Sequence, residues 1–67
     1  MSPVEYRRIA VRVRAEFSEM PGLQLTAAQA ARLWGLETPH CLAVIDELVQ
    51  SAFLRWTSSQ RIARVES

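Results

Sequence analysis

Apolar positions recur at helical spacing through most of this chain, and the breaks in that spacing mark its joints. Cys41, Val44, Ile45, Leu48, Val49 and Ala52 stand at i, i+3, i+4, i+7, i+8 and i+11, which is one stripe on a helix. Thr38 is the expected cap of that helix. Pro39 is its expected first residue, where a missing N–H costs no hydrogen bond. The preceding segment, Ala27 to Trp34, is rich in alanine, the residue that loses no side-chain entropy in a helix. Thr26 and Gln29 stand three apart, the spacing of a capping box in which each side chain satisfies a free backbone N–H. Gly35 follows Trp34 and can take the left-handed conformation that stops a helix. Two helices joined by about three or four residues containing glycine form a helix-turn-helix. Ala31 is small enough to let the pair approach closely, and Ala30, Trp34, Leu36, Cys41 and Val44 supply apolar contacts.

Ser2, Pro3 and Glu5 predict another helix start, with a cap, a first-turn proline and a capping-box acid. That first helix is expected over Pro3 to Phe17, with Tyr6, Ile9, Ala10, Val13 and Phe17 on its core face. The run IAVRVRA also alternates as a strand would. The caps and the i, i+4 pattern extend beyond it and favour helix. Met20-Pro21-Gly22 predicts a turn, since proline presets φ and glycine permits positive φ. Leu23-Gln24-Leu25 is long enough for a short strand leading into the Thr26 cap. Phe53 to Thr57 favours a strand, Ser58 and Ser59 a turn, and Gln60 to Val65 a second strand with apolar Ile62, Ala63 and Val65. The tip lacks Asn-Gly or Asp-Gly, so a loop of three or four residues is expected. Glu66 and Ser67 are expected to fray.

These residues carry a resemblance. The pattern EF-x-EMPGL-x-LT-x-x-QA-x-RLWGL, here Glu16, Phe17, Glu19 to Leu23, Leu25, Thr26, Gln29, Ala30 and Arg32 to Leu36, resembles small bacterial winged helix-turn-helix proteins. The resemblance covers nearly the whole chain. It implies a mostly helical α+β fold: three helices, a short strand before the second, and a C-terminal β-hairpin wing. It also implies a transcription-regulator-like DNA-binding role, with helix 39–51 and wing 55–64 on the duplex. The superfamily binds DNA, RNA or proteins, so function does not follow from fold.

Length and composition narrow the picture. Sixty-seven residues allow one domain, spanning 1–67. A chain this short buries only about 60% of its unfolded surface, so close packing or a partner subunit must supply stability. Cys41 is the only cysteine, so no disulfide framework exists and no oxidising compartment is required. Apolar residues at 49% and charged residues at 22% describe a folded chain. No apolar run approaches the roughly 18 residues of a membrane span, and no signal peptide is evident. Cytoplasmic residence is the expectation. Net charge is +1, which does not indicate a strongly basic nucleic-acid binder. All 8 basic residues are arginine. Genome composition accounts for that, and so does a preference for bidentate contacts to phosphate or carboxylate.

Catalytic and metal chemistry find little support. His40 and Cys41 are adjacent, so on a helix they project about 100° apart and cannot share a face. A zinc site needs three or four ligands. Cys41 belongs to the apolar stripe and reads as a buried structural thiol, with His40 a solvated first-turn residue. There is no glycine-rich phosphate loop and no Ser/His/Asp arrangement. The chain reads as a non-enzyme, with no cofactor, metal or small-molecule substrate evident.

Two readings of its surface remain. In the first it is a winged-helix DNA-binding module acting as a dimer, with the wing and the second core helix on the duplex. The candidate contacts are Thr38, His40, Ala43, Glu47 and Gln50 on the second core helix, and Arg55, Ser58, Ser59, Gln60 and Arg61 on the wing. Among the exposed helix positions only Gln50 is a good base reader, and Asp46 and Glu47 would repel phosphate. Wing arginines could contact phosphate or enter a minor groove, and the free helix N-terminus at Thr38 could seat a phosphate. In the second it is a protein-interaction or dimerisation module without base reading. Val4, Val11 and Ala15 point away from the core stripe of the first helix, flanked by Arg7, Arg8, Arg12 and Arg14. Val4 and Val11 are seven apart, as in a helix–helix seam, so a homodimer through Val4, Arg7, Arg8, Val11 and Ala15 is the expected partner geometry. The Leu42/Ala43 surface is a further candidate for protein contact.

Overall fold

In a computed structural model describing residues 2–65, the Ser2 hydroxyl accepts from Glu5 N at 3.2 Å and starts helix α1, Pro3–Glu19. The helix runs two residues past the expected Phe17. Val13 and Phe17 are fully buried, with Tyr6 and Ile9 packed against the core at half burial. The opposite side is open, with Val4 61% and Val11 66% exposed. The fraying expected of Glu66 and Ser67 lies outside the described residues.

Strand β1, Gln24–Thr26, follows the turn, one residue later than the alternation suggested. Helix α2, Ala27–Trp34, starts on the complete capping box. Thr26 Oγ1 accepts from Gln29 N at 3.1 Å, and Gln29 Oε1 accepts from Thr26 N at 2.9 Å. Gly35 stops it with φ 65° and ψ 37°. Leu36 N donates to Ala31 O and Gly35 N to Arg32 O, so the last turn closes as a Schellman motif.

Helix α3, Thr38–Gln50, corrects two expectations. Its N-cap is Glu37, not Thr38. Cys41 N donates to Glu37 O at 2.9 Å, which makes Thr38 the first helical residue and Pro39 the second. Proline is tolerated there for the reason it is tolerated at the first position: neither N–H has an intrahelical acceptor. The helix also ends before Ala52, which is exposed with φ 62° and does not extend the stripe. Ala52 N donates to Val49 O and Phe53 N to Leu48 O. This is the same Schellman closure, with alanine where α2 has glycine. The rest of the stripe is buried or half-buried: Cys41, Val44, Ile45 and Leu48 inside, Val49 at the margin.

Strand β2, Leu54–Trp56, and strand β3, Arg61–Arg64, are each shorter than the sequence suggested. They form an antiparallel hairpin, and β1 adds to its far side in the order β1-β3-β2. The loop is Ser58 to Gln60. Gln60 N donates to Thr57 O at 3.0 Å, and Gln60 takes φ 62°. A three-residue loop ending in a left-handed residue matches the twist of the strands. Of the apolar positions expected on β3, Ile62 and Ala63 are buried, while Val65 lies beyond the strand and is exposed. Among the described residues the architecture is α+β and mostly helical: three helices and a small three-stranded antiparallel sheet around one core.

Candidate nucleic-acid interface

Sheet register decides which side chains of the C-terminal hairpin share a surface. Leu25, Ile62 and Trp56 lie opposite one another across the three strands, as do Gln24, Ala63 and Arg55. Ile62 and Leu54 are fully buried, so their row faces the core. Side chains alternate along a strand, so Arg55 and Arg61 point the other way. Arg55 is directly opposite Ala63, and Arg61 is two residues from Ala63. The two arginines are therefore diagonal neighbours, about 7–8 Å apart at their bases. Both are exposed, as are Ser58, Ser59 and Gln60 at the tip. The tip is held by Thr57, whose N donates to Arg61 O at 2.7 Å and whose Oγ1 accepts from Arg61 N at 3.2 Å. Thr57 Oγ1 and Ser59 Oγ are 2.9 Å apart. No carboxylate occurs between Ser51 and Val65.

The α3 candidates, Thr38, His40, Ala43, Glu47 and Gln50, are also exposed, but their surroundings differ. Gln50 Nε2 donates to Asp46 Oδ2 at 2.7 Å, which uses one of its two amide hydrogens. The Tyr6 hydroxyl of α1 donates to Ala43 O at 3.1 Å. Burial, then Glu47, then Asp46 hold the Tyr6 pKa above its ordinary value. Ala43 and Glu47 thus border α1. The helix N-terminus expected to seat a phosphate carries Glu37 at its cap, a carboxylate that favours the helix dipole and opposes an anion. Cys41 is buried, its Sγ directed at Ala27 O at 3.8 Å, and burial raises its pKa. His40, beside it in sequence, is exposed.

The arginines divide into two groups. Arg12 Nε meets Glu16 Oε1 at 2.9 Å, and Arg12 Nη2 donates to Leu33 O at 3.2 Å. Glu16 Oε2 accepts from Trp34 Nε1 at 3.3 Å. These four residues tie α1 to the end of α2. The Arg14 and Arg64 guanidinium carbons lie 5.0 and 5.8 Å from the centroid of the Phe53 ring, within cation–π range. Arg7, Arg8, Arg32, Arg55 and Arg61 have no ion pair among the described residues. Arg7 and Arg8 border a shallow apolar depression with Val4 and Val11 on α1.

Sequence reasoning passed over Trp56 except as a strand former. It ends β2 next to the tip and is 43% exposed. Three strand residues carry too little alternation to show that. The i, i+4 spacing of Arg12 and Glu16 was a usable signal for their pair. Their reach to α2 was not visible in it. Comparison with protein-family models, curated proteins and solved structures found no match. Among the described residues, no helix is long and apolar enough to cross a membrane.

Proposed function

We propose that the chain is a winged helix-turn-helix module that holds duplex DNA mainly through its phosphates, with the wing as the principal contact and α3 lying beside it. The element order α1-β1-α2-α3-β2-β3, with β1 paired to the last strand, supports this reading, as does the sequence resemblance. The observation that carries it is the shared outer face of Arg55 and Arg61 beside a serine-glutamine tip, in a stretch free of carboxylates. Guanidinium groups suit phosphate oxygens, and phosphate contacts position a protein without reading sequence. The α3 face, with Asp46 and Glu47 and with Gln50 bonded to Asp46 late in the helix, contributes little base discrimination. Titration of mixed-sequence duplex at several salt concentrations tests this. Affinity falls steeply with salt, and the double variant Arg55→Ala/Arg61→Ala lowers the log–log slope by about two, one phosphate per arginine. Absence of binding at low salt, or a slope unchanged by the double variant, overturns it.

A second reading, a protein-contact or homodimer module working through Val4, Arg7, Arg8, Val11 and Ala15, is favoured by one observation. Val4 and Val11 stay exposed on a helix whose other side packs on the core through Val13 and Phe17, and a chain this short gains from burying them. Sedimentation distinguishes it: a stable dimer that binds no DNA at low salt selects this reading.

A further inference from the structure

The wing carries a large side chain that folding buries only in part. Trp56 closes β2, which is an edge strand of the sheet. Its indole is 43% exposed, whereas the other tryptophan, Trp34, is 5% exposed with its Nε1 bonded to Glu16. A tryptophan is among the largest apolar contributions a side chain can make, and this small core does without half of it. Arg55 precedes it and Arg61 stands across the tip, on the opposite face of the same narrow hairpin. The tip hydrogen bonds at Thr57, Ser59, Gln60 and Arg61 fix the hairpin, so the indole emerges from an ordered support. Little backbone entropy is left to lose when it meets a flat partner.

We propose that Trp56 stacks on an unstacked nucleobase while Arg55 and Arg61, on the other face of the hairpin, hold phosphates elsewhere along the same strand. This rests on the nucleic-acid reading above and names the chemistry of the partner: DNA presenting an open base. The base comes either from a single strand or from a duplex step that the wing opens. Aromatic stacking beside arginine is the usual way to hold bases without sequence preference, because every base has a π-face. It suits a protein whose α3 offers few groups for hydrogen-bonded readout. Insertion of an apolar wedge from the minor groove supplies the same contact in a duplex.

The test uses the full chain, its Trp56→Ala and Trp56→Phe variants, and three probes: a short single strand, the duplex of that sequence, and the duplex with one mismatch. Intrinsic tryptophan emission of the wild type is quenched on binding, and Trp56→Ala, with Trp34 buried, loses the quenching. Affinity for the single strand falls about 5- to 100-fold in Trp56→Ala and is largely restored in Trp56→Phe. If the base comes from a single strand, binding to the paired duplex is unchanged in Trp56→Ala. If it comes from an opened step, duplex affinity falls too and the mismatch strengthens wild-type binding. Circular dichroism of both variants matches wild type, since the side chain lies outside the core. Unquenched emission at saturation, or Trp56→Ala binding all probes as wild type does, overturns the inference. With a normal salt slope in that case, the duplex reading stands and this one falls alone. Quenched binding to single strand without any duplex binding has the reverse meaning. Failure of the wild type to bind any probe at low salt overturns both.

Discussion

Ala52 and Gly35 do the same backbone job with different side chains. Each occupies the left-handed position of a Schellman closure, at φ 62° and 65°. A Cβ in that conformation costs about 1–2 kcal/mol, offset by the about 0.5–1 kcal/mol that glycine's freedom gives the unfolded chain. Ala52→Gly should therefore stabilise the protein by about 0.5–1 kcal/mol, read as a higher urea midpoint at constant m. Gly35→Ala should lose a similar amount, since a Cβ there meets nothing within 4 Å and the cost is conformational alone. Equal midpoints for all three proteins would contradict the assignment. Tyr6 makes a second prediction at this scale. Burial first, then Glu47 and Asp46, raise its pKa above 10.0, so the folded chain holds the phenolic proton more tightly than the unfolded one. Its stabilisation is complete below the unfolded pKa and is lost as pH rises through the higher folded value. Tyr6→Phe should remove that part of the alkaline slope and, near neutrality, lose about 0.5–1 kcal/mol with the bond to Ala43 O. An identical alkaline profile for both proteins would count against it.

Between elements, Glu16 joins two helices by serving two donors. Its pairing with Arg12 is largely solvated and contributes about 0–1 kcal/mol. Its bond to Trp34 Nε1 matters more, because Trp34 is almost fully buried and a donor left without an acceptor costs about 1–3 kcal/mol. Glu16→Gln keeps a carbonyl oxygen for Trp34, whereas Glu16→Ala keeps none. Thermal melts should rank wild type and Glu16→Gln close together and Glu16→Ala clearly lower. A Glu16→Gln protein as unstable as Glu16→Ala would place the stabilisation in the charge instead. At this scale the helices were legible in the sequence, because capping residues and the apolar stripe act locally. The Thr26/Gln29 box and the Gly35 stop stand where their chemistry required. The start of α3 was missed by one residue because Pro39 fits either of two first-turn positions without losing a bond, and only the Cys41–Glu37 bond chooses between them. Ala52 was missed because alanine gives no sign of a left-handed residue.

At the scale of the whole molecule, charge is sorted by element although the net value is only +1. Glu37, Asp46 and Glu47 belong to α3 and its cap, while Arg55, Arg61 and Arg64 belong to the hairpin. Sequence alone named the wing arginines and the tip. It could not show that Arg55 and Arg61 share a face, because that depends on the register of β2 against β3. Nor could it show that Trp56 stays 43% exposed, or that Gln50 donates to Asp46. The proposed function therefore turns on whether, and where, a duplex touches the protein. Amide chemical-shift mapping with a short mixed-sequence duplex measures that directly. The account predicts the largest shifts from Arg55 to Arg61, smaller ones at Thr38 to Ala43, and none along Val4 to Ala15. Shifts confined to Val4 to Ala15, or a spectrum unmoved at low salt, would contradict it.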